Sequence, residues 1–393
     1  MANENVVIVN GARTPMGSLQ GSLSSIPAPD LAATAIAATL DRAALPAHQV
    51  DEVFMGCVLP AGLKQCPARQ AAIAAGIPTA AGAVTVNKAC GSGMQAAIFG
   101  FDSIRSGTNH TVVAGGMESM SRAPHLVPGA RGGVGTGDSN ILDHMFTDGL
   151  EDAYTGRAMG SFAQTTADEK GLTREGMDAF AIESLRRARA AIDSGVQHDE
   201  IVPVTVSGRR SDTTVTDDEQ PHRADIDRIP SLRPAFTKDG TLTAANSSSI
   251  SDGASALLLA SEHKVLECGL KPMARMLGHA RHSQAPGEFT TAPIGAISAL
   301  LDRLGWSVQD VDLFEINEAF AMVTMLAIAE LGLDAERVNV RGGACAQGHP
   351  IGSTGSRILV TLMYALKERG LQRGIAALCI GGGEATAVAI ERV

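Results

Sequence analysis

The stretch VTVNKACGSGMQAA occupies residues 84–97 and joins a short β-branched run to a segment that opens with Gly-Ser-Gly. This pattern predicts a strand that ends in a sharp turn, followed by a helix that begins close to Cys90. The N–H groups of a first helical turn point towards such a corner and carry partial positive charge. A thiol placed there is biased towards the thiolate, the form that attacks carbonyl carbons. Because cysteine is also among the most buried residue types, the stretch alone does not separate a nucleophile from a core residue.

A second stretch near the C-terminus repeats this arrangement. VNV (338–340) leads into RGGACAQGHPIG, a predicted helix to about Arg369 and the run IAALCI (375–380). In the first copy, VTV leads through NKACGSG and a helix to about Arg105 into TVVA (111–114). Both copies close on a glycine run. The matched glycine corners favour a duplicated fold over chance similarity between α/β units.

Strand and helix patterns alternate towards both ends of the chain. Further short β-branched or apolar runs predict strands at VVIV (6–9), VFMGCV (53–58), IVPVTV (201–206), ALLLA (256–260) and LFEI (313–316). Helical patterns cover LAATAIAATLDRA (31–43) and MDAFAIESLRRARAAIDSG (177–195), and the second closes on a glycine as helices often do. This alternation implies parallel sheets with crossover helices.

Residues 121–250 break the alternation and predict an inserted, loop-rich subdomain. Within them, RGGVGTGD (131–138) lacks both the Gly-x-Gly-x-x-Gly register and a final Lys-Ser/Thr, so it reads as a surface loop and not as a phosphate loop. We therefore expect an N-terminal α/β half at 1–120, completed by 251–270, and a C-terminal α/β half at 271–393.

The composition excludes several classes of function. The 393 residues are 45% hydrophobic and include 43 glycines, which is typical of a close-packed α/β protein and not of a disordered chain. A net charge of −10 without a basic block argues against nucleic acid as a partner. The first apolar run is short, without a basic n-region, and no apolar stretch is long enough for a bilayer, so we expect a cytoplasmic protein. Six scattered cysteines without zinc spacing predict reduced thiols and no metal site.

Three further stretches place polar or reactive residues beside predicted strand ends or helix starts. GGACAQGHPIGSTGSR puts His349 before a proline, LFEINEAFA puts Asn317 after a strand, and ALCIGGGEATAVAI puts Cys379 before three glycines. Open α/β sheets bind ligands at such strand ends. Each residue alone is as readily explained by packing, but together with Cys90 they predict one site.

In their residues and in their order along the chain, these stretches resemble motifs of the thiolase family, and the resemblance covers nearly the whole chain. NKACGSGMQAA is similar to the family's nucleophile motif, GGMESMSRAP (115–124) to its following loop, and NEAFA, GGAxAxGHPxGxxGxR and CxGGG to its C-terminal motifs. The resemblance implies a duplicated, five-layered αβαβα fold with an inserted loop subdomain. It also implies reversible cleavage of acetoacetyl-CoA, or its formation from two acetyl-CoA molecules, through an acyl-cysteine ping-pong mechanism.

The same resemblance assigns catalytic roles. Cys90 would be the acyl-accepting nucleophile, His349 its activating base and Cys379 a second acid/base. Asn317 would hold a water that forms one oxyanion hole with His349, and the N–H groups of Cys90 and Gly381 would form the other. These residue types suit the chemistry, because acyl transfer needs an activated nucleophile and each preorganised oxyanion donor is worth about 3–4 kcal/mol.

The insertion would carry coenzyme A, which is a substrate, so the resemblance implies no cofactor. The residues that would line the pantetheine path are Met159, Phe236, Ser248, Ala319 and Phe320. Arg223 is a candidate for binding the adenosine phosphates. For each of these residues, simple packing is the alternative. PGARGGVGTGDSNILD (128–143) resembles the loop through which tetrameric thiolases associate, which implies a homotetramer built as a dimer of dimers.

Three positions depart from the family pattern. Short-chain thiolases often read His-Met-Gly where this chain has Ala-Met-Gly at 158–160, so a broad-chain 3-ketoacyl-CoA thiolase of fatty-acid β-oxidation remains an alternative. Cys345 replaces a usual aliphatic residue and is interpreted as core. Glu384-Ala385 stands where the family usually has glycine at the second position, which is expected to perturb the turn slightly.

Two other classes of protein share parts of the pattern. A decarboxylating enzyme of the ketoacyl synthase type would use two histidines and would not need Cys379. A non-catalytic acyl-CoA or lipid carrier on the same scaffold could lose its nucleophile or base. Every catalytic position is filled here, which favours an enzyme.

Overall fold

The computed structural model describes residues 4–393, and most of the β-strands in this part of the chain join one large mixed sheet. The strands are β1 (Val6–Arg13), β2 (Gly17–Ser18), β3 (Glu52–Gly56), β4 (Gly82–Val86), β5 (Thr111–Ser119), β6 (His125–Leu126), β7 (Leu142–Asp143), β8 (Val204–Val206), β9 (Thr213–Val215), β10 (Ser251–Ser261), β11 (Ala274–Ser283), β12 (Leu313–Ile316), β13 (Arg373–Ile380) and β14 (Glu384–Arg392). The α-helices are α1 (Ala28–Ala43), α2 (Pro67–Ala74), α3 (Ser92–Arg105), α4 (Met159–Glu169), α5 (Arg174–Asp193), α6 (Glu219–Arg223), α7 (Glu262–Cys268), α8 (Ala292–Leu304), α9 (Ala321–Leu331), α10 (Ala344–Gln347) and α11 (Thr354–Arg369).

The large sheet runs in the order β12-β13-β14-β11-β1-β10-β5-β3-β4, with β2 beside β10. Only β3 with its two neighbours and β12 with β13 are parallel; the other pairs are antiparallel. The expectation of parallel sheets is therefore wrong for most pairs. β10 returns from the insertion to lie between β1 and β5, and a glycine turn makes β13 and β14 a hairpin.

The large sheet and its helices form five layers, because helices cover both faces of each half of the sheet. On β10, Leu257 and Leu259 pack into a cluster with α3 and α11, whereas Ala256 and Leu258 pack against α1 and α2. Alternate strand residues point to opposite faces, so both faces of this half are covered. Helices α8 and α9 cover the outer face of the strands β11–β14. The predicted αβαβα layering is confirmed, with α3 and α11 in the central layer.

Two strand predictions are wrong. VNV (338–340) forms no regular strand: Asn339 has a φ of 48°, and its side-chain amide bonds both the N–H and the C=O of Ile316 at 2.8 Å. The amide thereby takes the place of a neighbouring strand at the end of β12. Of IVPVTV (201–206), only Val204–Val206 is a strand, and it pairs with β9 in a separate small sheet.

The insertion at 121–250 contains two substantial helices, α4 and α5, between loops and two small sheets. RGGVGTGD (131–138) is exposed along its length. The boundaries of the three predicted parts of the chain stay a prediction. Within residues 4–393, every helix is too short or too polar to span a bilayer.

Candidate active site

Cys90 lies in the turn between β4 and α3, as the sequence predicts. Ala89 adopts a left-handed conformation (φ 43°), and Gly91 caps the helix. A Cβ atom on Gly91 would collide with the side chain of Ile380, so glycine permits the close approach of β13. The N–H groups of Gly381 and of Cys90 itself lower the pKa of the half-buried thiol, which indicates that Gly381 lies beside it. The pairing of these two N–H groups as an oxyanion hole stays a prediction.

The expectation of a thiolate at Cys90 is wrong for the resting site. Burial raises the pKa of Cys90 to about 11, and the nearby charge of Glu118 adds to the rise. The hydrogen bonds from Gly381 and from its own N–H lower the pKa only in part, because the buried thiolate loses its hydration. The resting nucleophile is a neutral thiol, which has to pass its proton to a base as it attacks.

His349 is buried in the turn between α10 and α11 and is held in one orientation. Its Nδ1 lies 2.6 Å from the hydroxyl oxygen of Thr354, and that hydroxyl donates to the carbonyl of Pro350 at 3.0 Å. A base that acts through Nε2 has to donate its Nδ1 proton to this hydroxyl oxygen, which leaves the lone pair on Nε2. Nε2 has no hydrogen-bond partner among residues 4–393.

The charge state of His349 suits a base. Burial lowers the pKa of His349 to about 3, and the positive charge of Arg357 contributes. The imidazole is therefore neutral at physiological pH, with a free lone pair on a buried nitrogen. The predicted role of His349 as the base for the neutral Cys90 thiol is consistent with this geometry.

Asn317 follows β12 directly, and its N–H donates to the carbonyl of Ala377 on β13 at 3.0 Å. Its side chain is buried, and in the described part of the chain neither the amide oxygen nor the amide nitrogen has a partner. Buried polar atoms are nearly always bonded to protein or water, so this amide is suited to hold a water or a ligand atom. The Nε2 atom of His349 is also buried without a partner in the part of the chain that the structure describes, so it is suited in the same way to bind a water or a ligand atom.

Residues 247–249 connect the Asn317 segment with the His349 turn. Ser248 N–H donates to the carbonyl of Ala319, and His349 N–H donates to the carbonyl of Ser249, both at 3.0 Å. Ser247 forms an isolated bridge with Phe320. Three residues predicted to line the pantetheine path, Ser248, Ala319 and Phe320, thus lie close to the base.

Cys379 lies near the end of β13 and is buried. Burial raises the pKa of Cys379 well above its usual range, and the nearby Cys90 thiol adds to the rise. The chain then turns through Gly382 and Gly383, which have φ values of 94° and 87°, into β14. The two predicted catalytic thiols therefore lie close enough for the charge of Cys90 to raise the pKa of Cys379. The raised pKa keeps Cys379 protonated.

Met159, Phe236, Ala319 and Phe320 pack in one apolar cluster with Cys379. The rings of Phe236 and Phe320 meet edge to face, with centroids 6.0 Å apart. Phe236 also fills the space beside Gly160, where a Cβ atom would collide with its ring. The structure brings these predicted substrate-binding residues together next to the second thiol.

Arg223 occupies a different place. Its exposed side chain pairs with Glu219 and lines, with Arg228, a cavity of about 320 Å³. Ser249 and Cys345 also line this cavity. Cys345 packs against the apolar cluster of Cys379 and is partly exposed to the cavity, so the interpretation of it as a core residue is right only in part. A contact between Arg223 and phosphate stays a prediction.

The departure at Glu384-Ala385 has a structural explanation. Both residues belong to β14, where Ala385 is paired with Cys379, so the expected perturbation of the turn is absent from residues 384–385. Glu384 forms an ion pair with Lys88, two residues before Cys90. This pair ties the two cysteine-bearing segments together.

Sequence reasoning missed the buried polar residues that support the site. Glu318 accepts hydrogen bonds from the Ser184 hydroxyl (2.7 Å), the Asn339 amide (2.9 Å) and the Cys345 N–H (3.1 Å), which holds the segment beside Asn317. Thr354 orients the base, Arg357 lowers its pKa, and Glu118 binds the His349 turn. One feature of the sequence could have indicated these residues: a carboxylate within an apolar motif, such as Glu318 in NEAFA. A buried charge of this kind needs hydrogen-bond or ionic partners.

Comparison with known proteins agrees with this arrangement. The family described as thiolase, N-terminal domain, matches residues 6–263, and that described as thiolase, C-terminal domain, matches residues 270–392. The chain therefore belongs to the thiolase family.

Its relatives are similar over their full length. It is 47% identical to the acetyl-CoA acetyltransferase of Pseudomonas aeruginosa over 99% of this chain and 100% of that protein. It is also 47% identical to a probable acetyl-CoA acetyltransferase of Dictyostelium discoideum, over 99% of this chain and 94% of that protein. The crystal structure of the Acat5 thiolase from Ascaris suum in complex with coenzyme A is 43% identical, with a TM-score of 0.94, over 99% of this chain and 100% of that one.

Proposed function

We propose that this thiolase is an acetyl-CoA acetyltransferase, which cleaves acetoacetyl-CoA with coenzyme A and, in reverse, condenses two acetyl-CoA molecules. The observation that carries the proposal is the close packing of the Cys90 turn against the end of β13, where Gly91 meets Ile380, the residue that follows the second thiol, Cys379. Full-length relatives named acetyl-CoA acetyltransferase support this function over the broad-chain alternative. The Ascaris suum thiolase with coenzyme A supports acyl-CoA and CoA as the ligands.

In the first half-reaction, His349 Nε2 takes the proton of Cys90 as the sulfur attacks the keto carbon of acetoacetyl-CoA. Negative charge collects on the former keto oxygen, for which preorganised N–H donors supply stabilisation. When the carbon–carbon bond breaks, the departing acetyl-CoA carbanion takes a proton from Cys379. The products are acetyl-CoA and acetylated Cys90.

In the second half-reaction, coenzyme A gives its thiol proton to the Cys379 thiolate and attacks the acetyl group on Cys90, and the departing Cys90 sulfur takes back the proton held by His349. A second acetyl-CoA leaves the site. Cys379 is suited to its role because burial keeps it protonated and so available as a donor. The neutral His349 has a ring nitrogen free for the proton of Cys90, and its lowered pKa means that it holds this proton only transiently.

We further infer a homotetramer built as a dimer of dimers. β4 ends the large sheet, and Val84 on it and Phe99 on α3 are exposed apolar residues at this edge. The segment 128–143 carries three more exposed apolar side chains, Val134, Ile141 and Leu142. Light scattering of the purified chain measures the oligomeric state, and a monomer would contradict the inference. The cytoplasmic location and a role in fatty acid metabolism stay predictions.

The test of function is thiolysis followed by the loss of enolate absorbance. The full chain with acetoacetyl-CoA and coenzyme A should show activity, and Cys90→Ser should lose it by several orders of magnitude while keeping its fold. Activity with 3-ketoacyl-CoAs from C4 to C16 then decides the substrate. A higher kcat/KM for C8 or longer chains would favour the broad-chain thiolase, and no thiolysis of any chain would reject the proposed function.

A further inference from the structure

The carboxyl group of Glu118 lies where three segments of the active site meet. Glu118 is on β5 and is fully buried. Its Oε2 accepts the N–H groups of Val58 at 2.9 Å and Gly352 at 3.0 Å, and its Oε1 accepts the N–H of Leu59 at 3.1 Å. One side chain therefore binds both the segment that follows β3 and the turn that carries His349.

Gly352 belongs to the same tight turn as His349. The N–H groups of Ser353 and Thr354 both donate to the carbonyl of Pro350, at 2.8 and 3.0 Å. The Thr354 hydroxyl bonds the imidazole of His349. Because these bonds hold the turn together, a displacement of Gly352 moves the imidazole with it.

This turn is inserted into the N-terminal half of the molecule. A Cβ atom placed on Gly56, Gly93 or Gly116 would come within 3.0 Å of the Gly352 carbonyl oxygen. Strands β3 and β5 and helix α3 thus approach the turn with backbone atoms alone. Gly93 lies three residues after Cys90, so the same packing surrounds the nucleophile.

The other segment that Glu118 binds is attached to the strand leading to Cys90. The N–H of Cys57 donates to the carbonyl of Val86 at 3.0 Å, and the Asn87 amide donates to the carbonyl of Val58 at 3.4 Å. Glu118 therefore connects the turn of the base with the backbone that leads to the nucleophile.

We propose that Glu118 is a positioning residue for thiolysis, whose carboxylate sets the placement of His349 relative to Cys90. This role rests on the thiolase activity proposed above. Three N–H donors need acceptors at both oxygens, which the carboxylate of Glu118 supplies above its pKa, a value that burial raises to about 7. A glutamine supplies one oxygen, and its amide nitrogen would face N–H groups on the other side. The bonds to a carboxylate are also shorter and stronger than those to a neutral acceptor.

A purely electrostatic role predicts the opposite effect. The charge of Glu118 contributes to the raised pKa of Cys90, so its removal alone would make the thiol easier to ionise. Loss of positioning instead slows proton transfer to His349. The two roles are separated by measuring turnover together with the alkylation of Cys90.

The experiment compares Glu118→Gln with the wild-type full chain in acetoacetyl-CoA thiolysis. We expect kcat per folded site to fall by roughly 10- to 100-fold, as misplacement of a reacting group by about 1 Å does. KM for both substrates should stay within about threefold, since loss of a positioning contact mainly affects kcat. Alkylation of Cys90 by iodoacetamide should be at least as fast as in the wild type.

Asp51→Asn is the matched control. Its carboxylate accepts the N–H groups of His110 and Thr111 at 2.8 and 2.9 Å, at the opposite end of β5. This variant weakens the same strand by the same type of change, away from both thiols. Its kcat should equal that of the wild type.

Several results would overturn the role of Glu118. A kcat for Glu118→Gln within threefold of wild type would do so, and so would a loss that only matches the unfolded fraction seen by circular dichroism. If Glu118→Gln does not fold, Glu118→Asp is judged by the same criteria, and failure of both to fold would show a role in folding instead. If the wild type shows no thiolysis, the proposed function is rejected and the role of Glu118 with it. If the wild type and Glu118→Gln are equally active, only the role of Glu118 is rejected.

Discussion

The Nδ1 atom of His349 and the hydroxyl oxygen of Thr354 lie 2.6 Å apart within a single turn. This contact decides which imidazole nitrogen carries a proton, since an Nδ1 that donates to the hydroxyl oxygen leaves the lone pair on Nε2. Nε2 is left as the acceptor, and its lone pair has no other partner in the described residues. A residue five positions further along the chain therefore prepares the base for the Cys90 thiol.

Thr354→Val should lower kcat by removing this acceptor while keeping the side-chain shape. The imidazole can then rotate, or carry its proton on Nε2, and in either case it no longer accepts the thiol proton. We expect a loss of roughly 10- to 100-fold, a part of the 100- to 10,000-fold that general acid–base catalysis supplies. Steady-state thiolysis of acetoacetyl-CoA measures the effect.

Thr354→Ser is the control for this prediction, since serine keeps the hydroxyl. Its kcat should stay within about threefold of wild type. If the valine variant also keeps wild-type kcat, the hydroxyl does not set the tautomer of His349, and another group has to do so.

Local patterns predicted the elements that depend on local contacts. VTV and the glycine corner around Cys90 became β4 and the start of α3, and β4 pairs with β3 along its whole length. VNV has the same local pattern but no strand, since the Asn339 side chain bonds Ile316, 23 residues away. Such a long-range competition is absent from any short window of sequence.

The site shows the same limit. The sequence motifs predicted Cys90, His349, Asn317 and Cys379 as site residues. The structure places these four residues on segments that are connected to one another. Its electrostatics were mispredicted, because a helix start favours the thiolate whereas burial by the rest of the chain opposes it. Burial of that kind depends on the tertiary packing and not on residues 87–97.

The pKa of Cys90 leads to a prediction for the free enzyme. With a pKa raised to about 11, the thiolate fraction of Cys90 increases with pH throughout the neutral and alkaline range. Alkylation of Cys90 by iodoacetamide should therefore rise by about tenfold per pH unit up to roughly pH 10, since the thiolate is the reactive form. Peptide mapping by mass spectrometry gives the rate for each cysteine, with the exposed Cys66 as an internal reference.

A plateau of Cys90 alkylation between about pH 7 and pH 8 would contradict this prediction, since it would reveal a thiolate already formed in the resting site. Protonation of His349 does not interfere over this range, because burial lowers the pKa of that imidazole to about 3.

Cys379→Ser should separate carbon–carbon bond cleavage from acyl transfer. The serine hydroxyl keeps the shape of the side chain, but at the same buried position it is a weaker acid than the thiol, so it gives its proton to the carbanion less readily. Acetylation of Cys90 by acetyl-CoA ionises no carbon acid, so exchange of label between acetyl-CoA and free coenzyme A should survive at a reduced rate. Thiolysis of acetoacetyl-CoA should fall much further, by at least about 100-fold more than the exchange.

Cys345→Ser is the matched control, because this thiol packs in the same apolar cluster as Cys379 and is partly exposed to the cavity beside it. In Cys345→Ser, the rates of label exchange and of thiolysis should both stay close to those of the wild type. Equal loss of exchange and thiolysis in Cys379→Ser would mean that Cys379 is structural, or is needed equally to deprotonate coenzyme A. Acetylated peptides that map to residue 379 instead of Cys90 would make Cys379 the acyl carrier. Only the asymmetric result agrees with a buried, protonated thiol that acts as the donor to the departing carbanion.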